Sequence, residues 1–133
     1  MIIGVPKEIK LQEHRIGLTP ESVKALTDQN HEVFVENNGG FEAGFTNDDY
    51  LKAGAKIIET AEEIFKKAEL IVKVKEPQMS EVKMIKEGQI IYTYLHLAAA
   101  KDLTLGFGLK QFGEITNLFI ILNLRFVKID NRP

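Results

Sequence analysis

The sequence predicts an α/β domain built on a mostly parallel open sheet with flanking helices, a Rossmann-like or flavodoxin-like arrangement. Five short β-prone runs recur before Leu97, each separated from the next by a helix or a helix-length crossover. Helix-start signals stand inside those crossovers, and Pro or Gly punctuates the strand ends. Strands that alternate with helices argue for parallel pairing through right-handed connections.

Ile2, Ile3 and Val5 read as a short buried strand that stops at Pro6. After the polar stretch Lys7 to Gly17, Thr19 is placed as an N-cap with Pro20 at the first helical position, where its missing N–H costs nothing. Val23 and Leu26 supply the apolar stripe, and Asn30 is the stop. His31 to Glu36 alternates as a strand with Val33 and Val35 on one face, and Asn37 to Gly40 is the strongest turn signal in the chain. Thr46 caps a short helix ending near Gly54, and Ala55 to Ile58 is strand-like. Thr60 to Glu63 has the pattern of a capping box, in which Glu63 returns a hydrogen bond to the cap residue. That helix ends near Ala68. Leu70 to Lys75 is the next strand, ended by Pro77, and Ser80 is expected to cap a short helix through Ile85. Gly88 precedes a fifth strand, Gln89 to Tyr94.

At 133 residues the chain is one domain by the usual prior. With 44% hydrophobic and 27% charged residues, the composition is that of a soluble globular protein. A formal net charge of −2 gives no electrostatic footprint for nucleic acid. Cysteine is absent, which excludes disulfides, thiolate chemistry and Cys-based metal sites. His14 and His31 lack partners at ligand spacing, so no metal site is expected. The opening MIIGVPKEIK has no secretory pattern, and the longest apolar run, Leu118 to Leu122, is far short of a membrane span. The expectation is a cytoplasmic protein that engages no membrane.

The residues that carry chemistry cluster at the carboxyl ends of the expected strands, where open α/β sheets place ligands. Arg15 follows the first strand, and its fork of donors matches a carboxylate. Lys73 and Lys75 alternate with valines, so strict period-2 geometry puts both on one face, usually a solvated one. Lys75 stands at the strand's edge, where a point charge suits the oxygens of a small acid. Tyr94 and His96 leave the fifth strand on a shared face, and His96 is the natural proton shuttle near neutral pH. Singly, each has an ordinary surface or packing role; together they converge on one crevice. Gly106-Phe107-Gly108 begins like a dinucleotide loop, but Gln111 stands where the third glycine belongs.

The segments MIIGVPKEIK, HRIGLTP, NHEVFVE, FEAGFTNDDYLKAGAKI, IVKVKEP and YTYLHLA resemble the amino-terminal part of the alanine dehydrogenase and pyridine nucleotide transhydrogenase family, nearly continuously from Met1 to Thr104. KVKEP and YTYLHLA are specific to the alanine dehydrogenase branch. The resemblance implies NAD-dependent interconversion of L-alanine with pyruvate and ammonia. It implies that Arg15 and Lys75 hold the carboxylate and ketone oxygen, that Tyr94 lines the pocket, and that His96 is the general acid/base. It also implies a homo-oligomer, commonly a hexamer. Alternatives are a non-catalytic carboxylate-binding or oligomerisation module, and a transhydrogenase α-subunit-like domain.

The family's glycine-rich NAD loop and nucleotide domain are missing from this sequence. Residues 1–104 therefore read as the substrate domain and 105–133 as a divergent tail. A reading-frame shift near Leu105 to Phe107 is the expectation for that tail, giving a truncated chain inactive alone because hydride transfer needs cofactor and substrate held together.

Overall fold

The computed structural model describes residues 1–94, 121–122 and 125–126. Five strands form one sheet: β1 (Ile2–Val5), β2 (Glu32–Glu36), β3 (Lys56–Ile58), β4 (Leu70–Lys75) and β5 (Ile90–Tyr94). Their order is β3-β2-β1-β4-β5, and every pairing is parallel. The expected α/β class and parallel sheet are therefore found. β6 (Ile121–Leu122) and β7 (Arg125–Phe126) pair antiparallel as a separate two-stranded ladder. The remainder of the expected tail, 105–133, lies outside the described residues.

Four helices cross between the strands: α1 (Pro20–Thr27), α2 (Asn47–Lys52), α3 (Ala61–Lys67) and α4 (Met79–Val82). Thr19 caps α1 by accepting the Ser22 N–H at 3.3 Å, with Pro20 in the first turn as expected. Thr46 and Asp49 make a complete capping box on α2. At α3 only half of the anticipated box forms. Glu63 donates its backbone N–H to Thr60 at 3.3 Å, while its carboxylate stays in solvent, where ordering a long side chain gains little. α4 starts two residues earlier than expected: its cap is Gln78, and Ser80 lies inside the helix. The reason is Glu81, whose carboxylate reaches back to the Gln78 N–H at 2.8 Å.

Period-2 alternation divides the core between the two faces of the sheet. Ile3, Val5, Val33, Val35 and Val72 pack with Val23 of α1 and Tyr50 of α2. Phe34, Ile71 and Ile91 pack on the other face with Ile64 and Phe65 of α3 and Val82 of α4. Buried on both sides, the central strands keep apolar side chains at nearly every position. No helix among the described residues is long and apolar enough to cross a membrane.

α3 sits on β1 because Gly4 has no side chain. A Cβ there would stand 2.5 Å from Ile64 Cγ2 and 2.8 Å from Ala68 Cβ. Gly4→Ala is accordingly expected to lower unfolding stability by about 1–3 kcal/mol, the usual cost of overpacking. Urea denaturation measures it, and an unchanged midpoint would show that α3 moves away freely.

Candidate functional site

The strand order creates one topological switch. From β1 the chain builds outward through β2 and β3, then returns to the other side of β1 for β4 and β5. In open parallel sheets the carboxyl ends of the two strands beside such a switch diverge into a crevice. Here those strands are β1 and β4. The first is followed by the segment holding Arg15, and the second ends at Lys75.

Lys73 corrects the period-2 expectation. It is 3% exposed rather than solvated, and its ammonium lies 3.1 Å from Glu8 Oε2 and 2.8 Å from Glu81 Oε1. Glu8 comes from the segment after β1 and Glu81 from α4, so one buried cation ties three parts of the chain together. All four carboxylate oxygens have donors. Glu8 Oε1 accepts the Val74 N–H at 2.6 Å, with the Lys75 N–H at 3.5 Å, and Glu81 Oε2 accepts from Gln78.

The same cluster explains why Lys75 does not follow Lys73. β4 pairs Val72 with Tyr92 and then Lys75 with Tyr94, so two residues of β4 oppose Thr93 alone. That is a β-bulge, which leaves a backbone donor unpaired and re-aims the side chain after it. Glu8 takes the donor left over at Val74. Lys75 is thereby turned onto the face of Val72 and Tyr94, opposite to Lys73. Thr93 closes the irregularity by donating its hydroxyl to the Lys75 carbonyl at 2.8 Å.

Arg15 lies in a loop that is pressed onto β4 two residues further on, at Gly17. A Cβ on Gly17 would come within 2.5 Å of the Val72 carbonyl oxygen, an approach only glycine allows. Upstream, Glu13 N–H bonds Lys10 O at 3.1 Å around Gln12, whose φ of 64° is in the left-handed region. Arg15 is solvent-exposed, and its Nε and Nη2 donate to the two Glu13 carboxylate oxygens at 2.8 Å each. Its own backbone N–H also donates to Glu13 Oε1 at 3.0 Å.

This pairing has an electrostatic signature. The Arg15 hydrogen bonds hold the Glu13 carboxyl far below the carboxylate range, at about 2, and the Lys75 charge adds to the effect. Glu13 in turn favours the charged guanidinium, with Glu8 contributing at longer range. Arg15, Glu13 and Lys75 thus share one electrostatic neighbourhood. Glu76, beside Lys75, is 5% exposed. Burial works to raise its carboxyl, but the ion pair with Lys10 prevails and holds it low.

Of the four residues singled out in the sequence, Lys75 and Tyr94 are direct register partners, and Arg15 lies in the segment that follows β1, paired with a glutamate that also feels the Lys75 charge. Tyr92 and Tyr94 are 45% and 52% exposed on that open face of β5. His96 lies outside the described residues. Sequence reasoning missed Glu8, Glu13, Lys73 and Glu81. A signal for the buried set was present: a lysine between valines in the middle of a parallel strand is seldom solvated, and a buried cation needs carboxylates.

Residues 4–112 match the family profile described as alanine dehydrogenase/PNT, N-terminal domain. The alanine dehydrogenases of Methanococcus maripaludis and Staphylococcus epidermidis are each 50% identical to this chain over 104 residues, covering 78% of it and 28% of the relative. The chain therefore spans under a third of the length of these curated relatives. A solved L-alanine dehydrogenase superposes with a TM-score of 0.77 at 48% identity, covering 80% of this chain and 29% of that one. A transhydrogenase structure from Sinorhizobium meliloti gives the same TM-score at 24% identity, covering 90% of this chain and 33% of that one, a likeness of fold.

Two outcomes follow from the geometry. Lys73→Met leaves two buried carboxylates without their cation and should cost about 3–5 kcal/mol of unfolding stability. A change under about 1 kcal/mol in urea denaturation, within the range of surface substitutions, would mean that water reaches the cluster. The Glu13 carboxyl, followed by carbon NMR, should stay ionised on acidification until about 2, and Arg15→Ala should return its midpoint toward 4.5. Because the folded value is depressed, any stability from this pair is complete above 4.5 and is lost as pH falls through about 2.

Proposed function

The chain belongs to the alanine dehydrogenase/PNT family as its N-terminal domain, and from that premise we propose that it carries the L-alanine/pyruvate half-site of an NAD-dependent alanine dehydrogenase. The observation that supports this reading is the position of the two cations in the topology: Arg15 follows β1 and Lys75 ends β4, the strands on either side of the switch point, and Glu13, paired with Arg15, also feels the Lys75 charge. A 2-oxo acid presents a carboxylate and an adjacent carbonyl oxygen, and two cations of different shape fit those groups.

In this reading Arg15 binds the carboxylate through its planar fork, and Lys75 donates to the keto oxygen as a compact point charge. Each charge-assisted hydrogen bond of this kind typically contributes about 1.5–3 kcal/mol where water is excluded. Tyr94, opposite Lys75 in the ladder, forms the side of the pocket. His96, two residues beyond it, moves the proton when water adds to the iminium and when the resulting carbinolamine releases ammonia.

The residues described do not fit a dinucleotide. None of the strand-to-helix turns combines a glycine-rich loop with a helix amino terminus free to receive a pyrophosphate. Gly39 and Gly40 come nearest, and they are packed against the Glu36 carbonyl and the Tyr50 ring. NAD, the hydride acceptor that the family implies, belongs in this proposal to residues outside those described. Assembly into a homo-oligomer and a cytoplasmic setting come into it in the same way.

Titration of the full chain with pyruvate, followed by backbone amide NMR, tests the half-site. Saturable shifts around Arg15, Lys75 and Tyr94, abolished in Arg15→Ala and in Lys75→Ala, are the expected result. A well-dispersed spectrum that pyruvate leaves unchanged would overturn it.

A further inference from the structure

Glu76 is the residue after Lys75, and its carboxylate begins a series of contacts that ends on Arg15. Its Oε1 pairs with the Lys10 ammonium, which comes from the segment after β1. Lys10 and Glu13 share a turn: the Glu13 N–H donates to the Lys10 carbonyl at 3.1 Å, around Gln12 in its left-handed conformation. Glu13 then accepts from Arg15 three times, from the backbone N–H at 3.0 Å and from Nε and Nη2 at 2.8 Å each. Every link is a hydrogen bond or an ion pair, so the series runs unbroken from the end of β4 to the guanidinium.

Glu76 is costly where it stands. Its side chain is 6% exposed, and its second oxygen, Oε2, is buried with no hydrogen-bond partner among the described residues. A buried acceptor without a donor loses its hydration without replacement, so an apolar residue would serve stability better. Lys10, in contrast, is 37% exposed in its side chain and would be solvated on its own. What the pair achieves is a tethered loop.

We propose that Glu76 is a positioning residue for substrate binding: through Lys10 and Glu13 it sets where the Arg15 fork stands relative to Lys75. The inference rests on the functional reading above and deepens it. Lys75 and Glu76 are consecutive, so both cations of the half-site take their reference from one point on β4. Glu8, tied to Lys73 and to the Val74 N–H, anchors the start of the segment after β1. Gly17 holds its end against Val72. The Lys10–Glu76 pair is the attachment between those two, and the one that continues by direct bonds to the guanidinium.

The charge on Glu76 makes the role testable. A carboxylate near an anion site repels the anion, so by Coulomb's law alone its removal tightens pyruvate binding. For a positioning carboxylate the sign is reversed, because its removal frees the fork that holds the ligand.

Dissociation constants for pyruvate, from amide NMR titration, are compared among the full chain, Glu76→Gln, the double variant Lys10→Met/Glu76→Met, and Lys10→Arg. Glu76→Gln and the double variant should each bind about three- to tenfold more weakly, a partial loss of one charge-assisted hydrogen bond. Lys10→Arg keeps a cation for Glu76 and should stay within about twofold of the unaltered chain. The double variant leaves the net charge unchanged and nothing buried unpaired, so it decides the matter if Glu76→Gln does not fold. Pyruvate bound by Glu76→Gln or by the double variant as tightly as by the unaltered chain, or more tightly, overturns the proposal and leaves the half-site standing. So does Lys10→Arg binding as weakly as the double variant. No binding of pyruvate to the unaltered chain overturns the functional reading and this inference with it.

Discussion

The buried ammonium of Lys73 is the contact on which the rest of the site depends. Its two carboxylate partners come from chain segments 65 and 8 residues away in sequence, and among the described residues neither forms a second ion pair. Removing such charges from water costs several kcal/mol per ion, recovered only if geometry is good and every remaining lone pair has a donor. The arrangement meets that condition, with N–H groups from Val74, Lys75 and Gln78 completing the two glutamates. A hydrophobic trio of similar volume would pack at least as stably. What it would not do is hold one particular backbone geometry at the end of β4.

That geometry is the bulge. Without it, the pleat would point Lys75 to the same side as Lys73, into the layer of α3 and α4 and away from Arg15. An extra residue in a parallel ladder exposes an N–H that the neighbouring strand cannot reach. Glu8 accepts it, and can do so because Lys73 holds Glu8 in the core. The buried charges and the irregular backbone therefore explain each other: each would be costly alone. Consistency between levels of this kind distinguishes a functional irregularity from a defect.

How much of this was legible in the sequence follows from the range over which each feature is determined. Thr19 with Pro20, Thr46, the valines of β2 and the glycine turn at 39–40 are local signals, and the elements they mark appear where expected. Two local readings fail where a distant partner intervenes. Ser80 loses the cap because Glu81, anchored by Lys73, takes the Gln78 N–H. The paired lysines part company because the β4–β5 register shifts by one residue, and register belongs to neither strand alone. The positions of Arg15, Lys75 and Tyr94 at or beyond the carboxyl ends of strands were legible, because they follow from the topology. Glu13 was not, since nothing in the order of residues distinguishes it from the other acids of a polar loop.

The two cations of the crevice are held in different ways, and the difference bears on how the site works. Lys75 is fixed through its backbone: the bulge, the Glu8 carboxylate and the Thr93 hydroxyl all act on its main-chain or neighbouring peptide groups. Its direction cannot change without disturbing a buried cluster. Arg15 is rooted at Gly17, where the chain lies against the β4 backbone, but its guanidinium is in solvent and its partner is two residues away in the same loop. The Arg15 side of this pair is open, at 66% exposure, while the Glu13 side chain is only 7% exposed, so the loop that carries both residues sets where the fork sits. The two cations are thus anchored differently: Lys75 through a strand backbone tied to the buried cluster, Arg15 through a loop seated on β4. In the proposed half-site this difference has a consequence: the root of Lys75 is set by the buried cluster, whereas the fork that would carry a ligand's carboxylate is set by its loop and by Glu13.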